Sequence, residues 1–480
     1  VSSLIDQTRR SGRVLDLFVV DDSRGAEMQA ANREVLRERA PSLIGTIHYT
    51  DRPARARMAA GLAASLGISE EIPRFALLGD DRLGPSYGAS RNTLLLLTAG
   101  RMLVMADDDT LFRVGVPPGT QEGLAFTSRH DANAYRYYAT EREAMEAVAF
   151  GEHDLFALHE KLLGKQLDEI AASGESIDLA GVDAGFAARL SLPGARVGVT
   201  YLGTAGDSGM SGHAFRMLEE GESLDRMLVS EATFELGMTT RWIVKAAPKA
   251  SVSSGAFCMA LHIGLDNRQP LPPFMPVMRN EDGVFGSVLA ACYPEVFAGY
   301  LPAVVPHLPP ETRAHLSQNE AAQIRGVRVN DLVSQRIAAA AEASRSSLSM
   351  ADLGKELTLQ ASFSPERFMD VMRESAERTS AAIAGYAMRR MQERRGIPTF
   401  WGNAVRAYLS SQERVLRSGE LCSDWAGEQG DRMKLGQELV DALGECLQSW
   451  RGISVADAWF NGGVESIYNH GDHGSTTTTN

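Results

Sequence analysis

Apolar residues in the first quarter of the chain fall into short runs that each stop at a polar cluster. Val14 to Val20 (VLDLFVV) ends at Asp21-Asp22-Ser23, and Arg101 to Ala106 ends at Asp107, Asp108 and Asp109. Apolar runs this short, the first of them rich in valine, that end at turn formers predict buried strands. Between them the spacing predicts helices over Ala26 to Arg39, Ala54 to Leu66 and Thr93 to Ala99. It also predicts strands over Ser42 to Tyr49 and Arg74 to Leu78, and a loop over Gly84 to Asn92 (GPSYGASRN). Strands alternating with helices predict a doubly wound, mostly parallel α/β sheet.

The pattern then loosens. Val114 to Ala125 reads as a loop broken at Pro117-Pro118-Gly119, and Glu141 to Ile170 as mostly helix. Ala195 to Leu202 predicts a strand, and Gly203 to Gly212 (GTAGDSGMSG) a glycine-rich loop without the lysine or spacing of a phosphate-binding motif. Trp242 to Ala246 and Ala256 to Ile263 read as extended, and Val284 to Leu289 as a short helix. From Pro309 nearly to Phe460 apolar residues recur at helical spacing, as in Ala382, Ile383, Tyr386, Ala387 and Met391. The tail from Asn461, with His470 and His473, shows no packing signal and is expected to fray.

Composition narrows the function. The 480 residues suggest two or three domains, and a net charge of −13 argues against a general binder of nucleic acid or anionic membrane. Cys258, Cys292, Cys422 and Cys446 are dispersed, which fits a reducing compartment, and the expectation is a cytoplasmic protein. No apolar run approaches the roughly 18 residues of a membrane-spanning helix.

Clustered carboxylates at the carboxyl end of a strand stand where open α/β sheets bind ligands. Such oxygens suit a hard divalent cation that also bridges phosphates. Each residue has a plainer reading too. Asp107 to Asp109 form an acidic turn, Asp22 a turn or helix-cap residue, and Arg91 a helix-start residue.

Taken in order, VVDDS at Val19 to Ser23, SRN at Ser90 to Asn92 and MADDDT at Met105 to Thr110 resemble the GT-A glycosyltransferases, most closely the large family 2 type. The resemblance covers roughly Leu15 to Phe112 and returns at Asn280 to Leu289. It implies a nucleotide-sugar donor, a UDP- or GDP-sugar, contacted by Asp22, Arg91, Asn92, Asp107, Asp108 and Arg279. It implies Mn²⁺ or Mg²⁺ held by Asp107 and Asp109, with His307 completing the shell. It places the catalytic base in the acidic pair Glu281-Asp282, favouring Asp282. Arg268 and Arg279 flank that pair and are further candidates for phosphate contact.

In the family the VVDDxS strand normally follows an earlier strand, so a further strand is expected beside Val14 to Val20, from residues outside this numbering. The expected organisation is a GT-A catalytic domain over residues 1–308, with an insertion around 113–260, and a mostly helical domain over 309–480 packed near the acceptor side. The expected activity is sugar transfer with inversion. A retaining GT-A enzyme of the mannosylglycerate synthase kind, a sugar nucleotidyltransferase and an inactive GT-A scaffold are the alternatives.

Overall fold

The computed structural model describes residues 1–39, 45–174, 176–210, 214–255, 259–311, 327–344, 348–393, 396–456 and 465–468. Cys258, His470 and His473 lie outside the described residues, as do parts of the elements expected at Ser42 to Tyr49, Gly203 to Gly212 and Ala256 to Ile263. The chain forms an α/β structure with mixed sheets flanked by helices and a helical C-terminal region. Among the described residues no helix is long and apolar enough to cross a membrane.

The N-terminal unit follows the expected alternation. β1 (Leu17–Val20), the helix Ala26–Arg39 and β2 (Ile47–Thr50) make a parallel strand–helix–strand unit. The next helix, Arg52–Leu66, starts where Asp51 accepts the Ala54 N–H and ends at the left-handed Gly67. Arg74 to Leu78, expected as a strand, lies instead in the helix Glu71–Leu78. Its run Phe75-Ala76-Leu77-Leu78 is buried throughout. A short run buried on all sides carries no period that separates helix from strand, and Pro73 is tolerated in a first helical turn.

The helix Tyr87–Leu97 begins inside the expected loop. Gly88 marks close packing there rather than a turn, because a Cβ would stand 1.9 Å from the Met275 carbonyl oxygen. This helix leads to β3 (Met102–Ala106).

The remaining strands are β4 (Gly115–Val116), β5 (Leu124–Thr127), β6 (Ala134–Tyr137), β7 (Ala149–Phe150), β8 (Ile177–Gly181), β9 (Arg196–Asp207), β10 (Trp242–Ala246), β11 (Ala250–Ser253), β12 (His262–Asp266), β13 (Val296–His307) and β14 (Glu465–Tyr468). Glu141 to Ile170, read as mostly helix, holds short helices at Glu141–Glu146, Leu155–Glu160 and Leu167–Ala172 on either side of β7.

β9 runs straight through the start of the expected glycine-rich loop. A Cβ at Gly203 would lie 2.1 Å from the Lys245 carbonyl oxygen, so this glycine permits close strand approach.

The expected mostly parallel sheet is corrected to two mixed ones. The large sheet runs β3-β12-β9-β13-β11-β5-β8, with β10, β6, β4 and β7 attached. β3–β12, β12–β9 and β11–β13 pair antiparallel, while β13–β9, β11–β5 and β5–β8 pair parallel. The cause is residues 113–260. They supply β4 to β11, and the chain then returns along β3 as β12 in the opposite direction.

The small sheet is β1-β2-β14. Among the described residues β1 pairs with β2 alone, and none of them forms a strand at its other edge. Arg101, just before β3, reaches Asp16, just before β1, at 2.9 Å.

The C-terminal region comprises the helices Val329–Ala343, Met350–Ala361, Pro365–Glu393, Thr399–Ser418 and Gln429–Val455. It shares the main hydrophobic core with the N-terminal unit. The Trp450 indole N–H donates to the Leu271 carbonyl at 2.7 Å and that of Trp425 to the Leu83 carbonyl at 2.8 Å. The frayed tail is corrected in part. β14 pairs antiparallel with β2, Ile467 packs on a cluster of Ile5 and Ile47, and Arg33 and Arg37 reach Glu465.

Candidate functional site

The polar edge of β3 meets two segments from much later in the chain. β13 ends at His307 beside the aspartates, and Thr110 and His307 form an isolated antiparallel bridge. His307 Nε2 lies 3.1 Å from Asp109 Oδ2, and His307 Nδ1 lies 2.6 Å from the Asp207 carbonyl oxygen. A carbonyl can only accept, so Nδ1 carries hydrogen and donates to it, and Nε2 faces the carboxylate. Asp207 is itself fixed by a buried two-pronged pair with Arg241, at 2.7 and 2.8 Å. Burial pushes the His307 imidazole pKa down, but Asp109, the Asp207 carbonyl and the nearby carboxylates outweigh it and hold it above its usual value. A positive charge between Nε2 and Asp109 is favoured, whether a proton or a metal ion.

The helix Glu281–Cys292 brings the acidic pair to the same place. Its first residues follow Asn280, which is left-handed at φ 69°, as is Met278 at φ 68°. Two non-glycine residues with positive φ so close together are uncommon and strained. Asn280 is held from the C-terminal region, its amide donating to Asp331 at 2.9 Å. A Cβ on Gly283 would stand 2.0 Å from the Asn280 side-chain oxygen, so any larger residue there would displace the Asn280 side chain.

Arg91 links the two groups of acids. It contacts Asp107 at 2.7 Å and Glu281 at 3.6 Å, and donates to the Ala260 carbonyl at 2.7 Å. Burial raises the Asp107 carboxyl above the usual range, with Asp109 and Asp282 adding to it against the pull of Arg91 and His307. Burial likewise pushes Glu281 up to about 7, and the repulsion of Asp282 adds to it while Arg91 opposes.

Asp107, Asp109, Glu281, Asp282, Arg91 and His307 therefore come together. Asp22 stands at the end of β1, held by Arg52 at 2.8 Å, by Ser86 Oγ at 2.8 Å and by Arg55. Burial would raise its carboxyl, but these partners outweigh it and keep it below the usual range.

Several expected site residues are placed otherwise. Asn92 is fully buried and clasps two segments. Its amide donates to the Ala76 and Phe274 carbonyls and its oxygen accepts the Phe274 N–H. Its expected donor contact is corrected to a structural one, because the group is turned into the core. Arg268 folds back on Asp266 at 2.7 Å, and Arg279 lies over the Tyr87 ring. Asp108 is exposed.

Sequence reading missed Asp207 and Arg241, which orient His307. Asp207 lay in the segment read as loop, and no local signal paired it with Arg241. It also missed that Asp282 is engaged on both oxygens, by the Gly283 N–H at 2.9 Å and the Ala260 N–H at 3.1 Å.

The Asp109–His307 geometry suits a divalent cation. Two neighbouring ligands of an octahedral ion bound at about 2.1 Å stand about 3 Å apart, and Oδ2 and Nε2 are 3.1 Å apart. Among the described residues no group of three or more His, Cys, Asp or Glu side chains is placed to hold a metal ion, so Asp109 and His307 would be its only such ligands here. Comparison with family models, characterised proteins and solved structures found no match to this chain.

Proposed function

We propose that this protein is a metal-dependent glycosyltransferase of GT-A type, which transfers a sugar from a UDP- or GDP-sugar to an acceptor hydroxyl with inversion. The observation that carries the reading is the meeting of Asp109 with His307, at 3.1 Å, beside the acidic pair that opens the helix at Glu281. A strand-end carboxylate and an imidazole of fixed tautomer form part of a metal shell, and a separate acidic pair across Arg91 is available for proton transfer.

In this reading Asp109 and His307 would hold Mn²⁺ or Mg²⁺, with Asp107 alongside. The metal supplies electrostatic stabilisation of the charge that develops on the departing diphosphate. Arg241 and Asp207 keep the imidazole in the ligating orientation. Asp22, held by Arg52, Arg55 and Ser86, presents a fixed acceptor edge toward the nucleoside. An acceptor hydroxyl is a weak nucleophile at neutral pH, so its proton must pass to a positioned base. That base belongs to the Glu281-Asp282 pair.

The test is a thermal-shift screen of nucleotide-sugars with and without Mn²⁺, followed by product analysis. A ligand that binds only the native state raises its melting temperature. Metal-dependent stabilisation together with release of nucleoside diphosphate is the expected outcome. Pyrophosphate exchange instead would favour a nucleotidyltransferase, and no stabilisation by any nucleotide-sugar would defeat the proposal.

A further inference from the structure

Resting on the glycosyltransferase reading, we infer that Asn330 and Asp331 are positioning residues, through which the C-terminal region sets where the Glu281-Asp282 pair stands against Arg91. Both lie in the first turn of the helix Val329–Ala343. Asn330 is fully buried, and its amide donates to the Val277 carbonyl at 3.1 Å and the Arg279 carbonyl at 3.0 Å. Asp331 accepts from the Asn280 amide at 2.9 Å. Two neighbouring side chains thus grip Val277, Arg279 and Asn280, directly before the acidic pair.

The grip falls where the backbone needs holding. Among the described residues other than glycine, φ is positive at Met278, Asn280 and Cys422 alone. Such a conformation is unfavourable for a residue with a Cβ and persists where surrounding contacts over-determine it. Met278 and Asn280 lie inside the segment that Asn330 and Asp331 hold. Cys422 lies in the segment that braces the same helix start. Its neighbour Leu421 bridges Val327, the Ser423 N–H donates to the Val327 carbonyl at 3.0 Å, and Asp424 accepts the Val329 N–H at 2.7 Å. All three strained residues therefore stand along one line of contacts, which runs from Leu421 through Val327 and Asp331 to Asn280.

The line continues into the site. The Asn280 carbonyl accepts the Val284 N–H at 3.1 Å and closes the first turn of the helix Glu281–Cys292. From that turn Asp282 accepts the Ala260 N–H, and the Ala260 carbonyl accepts from Arg91, which also contacts Asp107 and Glu281. Turning Asn280 out of its left-handed conformation would redirect the start of the helix and move both acids. The two helices also pack through the main hydrophobic core, which holds Val284, Val288, Val329 and Val333. Loss of the Asp331 carboxylate therefore leaves them docked and releases the turn.

The test uses the full chain with D331A and D331N. D331N gives up the charge that faces Arg328 at 3.7 Å but keeps an oxygen that can accept from Asn280, and D331A keeps neither. Water can stand in for the acceptor, so release of nucleoside diphosphate from UDP-glucose or GDP-mannose with Mn²⁺ is followed. D331A should lose about tenfold or more in kcat, while KM and calorimetric binding of UDP or GDP with Mn²⁺ are unchanged. D331N should restore most of the loss. N280G removes the same bond from the other side and accepts the left-handed backbone, so adding D331A to it should change kcat little further. Hydrogen exchange gives a readout that needs no turnover. D331A should speed exchange across 277–284 by about tenfold, as loss of one hydrogen bond allows, and leave β3 unchanged. Unchanged kcat or unchanged exchange in D331A, or equal losses in D331A and D331N, would overturn the assignment. If the unaltered protein cleaves no nucleotide-sugar, the glycosyltransferase reading fails, and the exchange measurement decides by itself whether Asp331 holds the turn.

Discussion

His307 and Asp109 meet at 3.1 Å although one ends β13 and the other follows β3, and the Asp207 carbonyl behind the imidazole fixes which nitrogen faces the carboxylate. The first prediction follows directly. H307A and D109A should each weaken Mn²⁺-dependent binding of UDP or GDP by at least about tenfold, measured by calorimetry, with circular dichroism unchanged. Metal-independent binding of equal strength in both variants would contradict the assignment of these residues to a metal.

Arg91 is the counter-ion between Asp107 and Glu281. Arg91→Met leaves these recessed carboxylates uncompensated, at a cost of about 3–5 kcal/mol near neutral pH. Asp107 and Glu281 already bind protons more readily than free carboxyls, so acidification should shrink the loss. Denaturant unfolding at pH 5 and pH 8 checks this, and R91M with D107N should recover part of the stability.

Glu219 tests the same linkage away from the site. Burial pushes its carboxyl up to about 7 from an ordinary 4.5, and Asp131 adds to the shift, against Lys245, Arg129 and Arg216. The folded-state value lies above the unfolded one, so its stabilising contribution is complete below the unfolded value and is lost as pH rises through the folded one. E219Q should therefore gain on the unaltered protein between pH 5 and pH 8, by about 1–3 kcal/mol. A difference independent of pH would show that Glu219 does not titrate in this range.

Gly354 sets two effects against each other. Alanine improves helix propensity by up to about 1 kcal/mol. A Cβ there would lie 2.5 Å from the Gly444 carbonyl oxygen on the long C-terminal helix, and that backbone cannot swing aside. Overpacking costs about 1–3 kcal/mol, so Gly354→Ala should lower the melting temperature. An increase would mean that the two helices separate without penalty.

Ile467 tests the last strand. It packs beside Ile5 and Ile47 where β14 edges the small sheet. Ile467→Asp should cost on the order of 1–2 kcal/mol in denaturant unfolding. No loss would mean that β14 adds nothing to the stability of the N-terminal unit.

The first strands and helices were legible because their signals are local. Val14 to Val20 and Arg101 to Ala106 are apolar runs that stop at aspartates, and β1 and β3 lie within them. The helix Ala26–Arg39 matched its expected bounds, and the C-terminal region is helical as its spacing foretold. Glycine misled the reading twice. At Gly88 and Gly203 it serves close approach between distant segments, which a sequence shows only as a possible turn.

The chain by itself determined where carboxylates would gather at strand ends, because alternation and strand-ending aspartates are written over a few consecutive residues. Only the tertiary structure decided the rest. It set β12 antiparallel to β3, buried Asn92 as a clasp, paired Asp207 with Arg241 behind His307, and engaged Asp282 on both oxygens while leaving Glu281 beside Arg91. These relations join residues far apart in the chain. Their energy comes from desolvation and hydrogen bonding once the segments meet, and nothing in the local order of residues specifies which segments those will be.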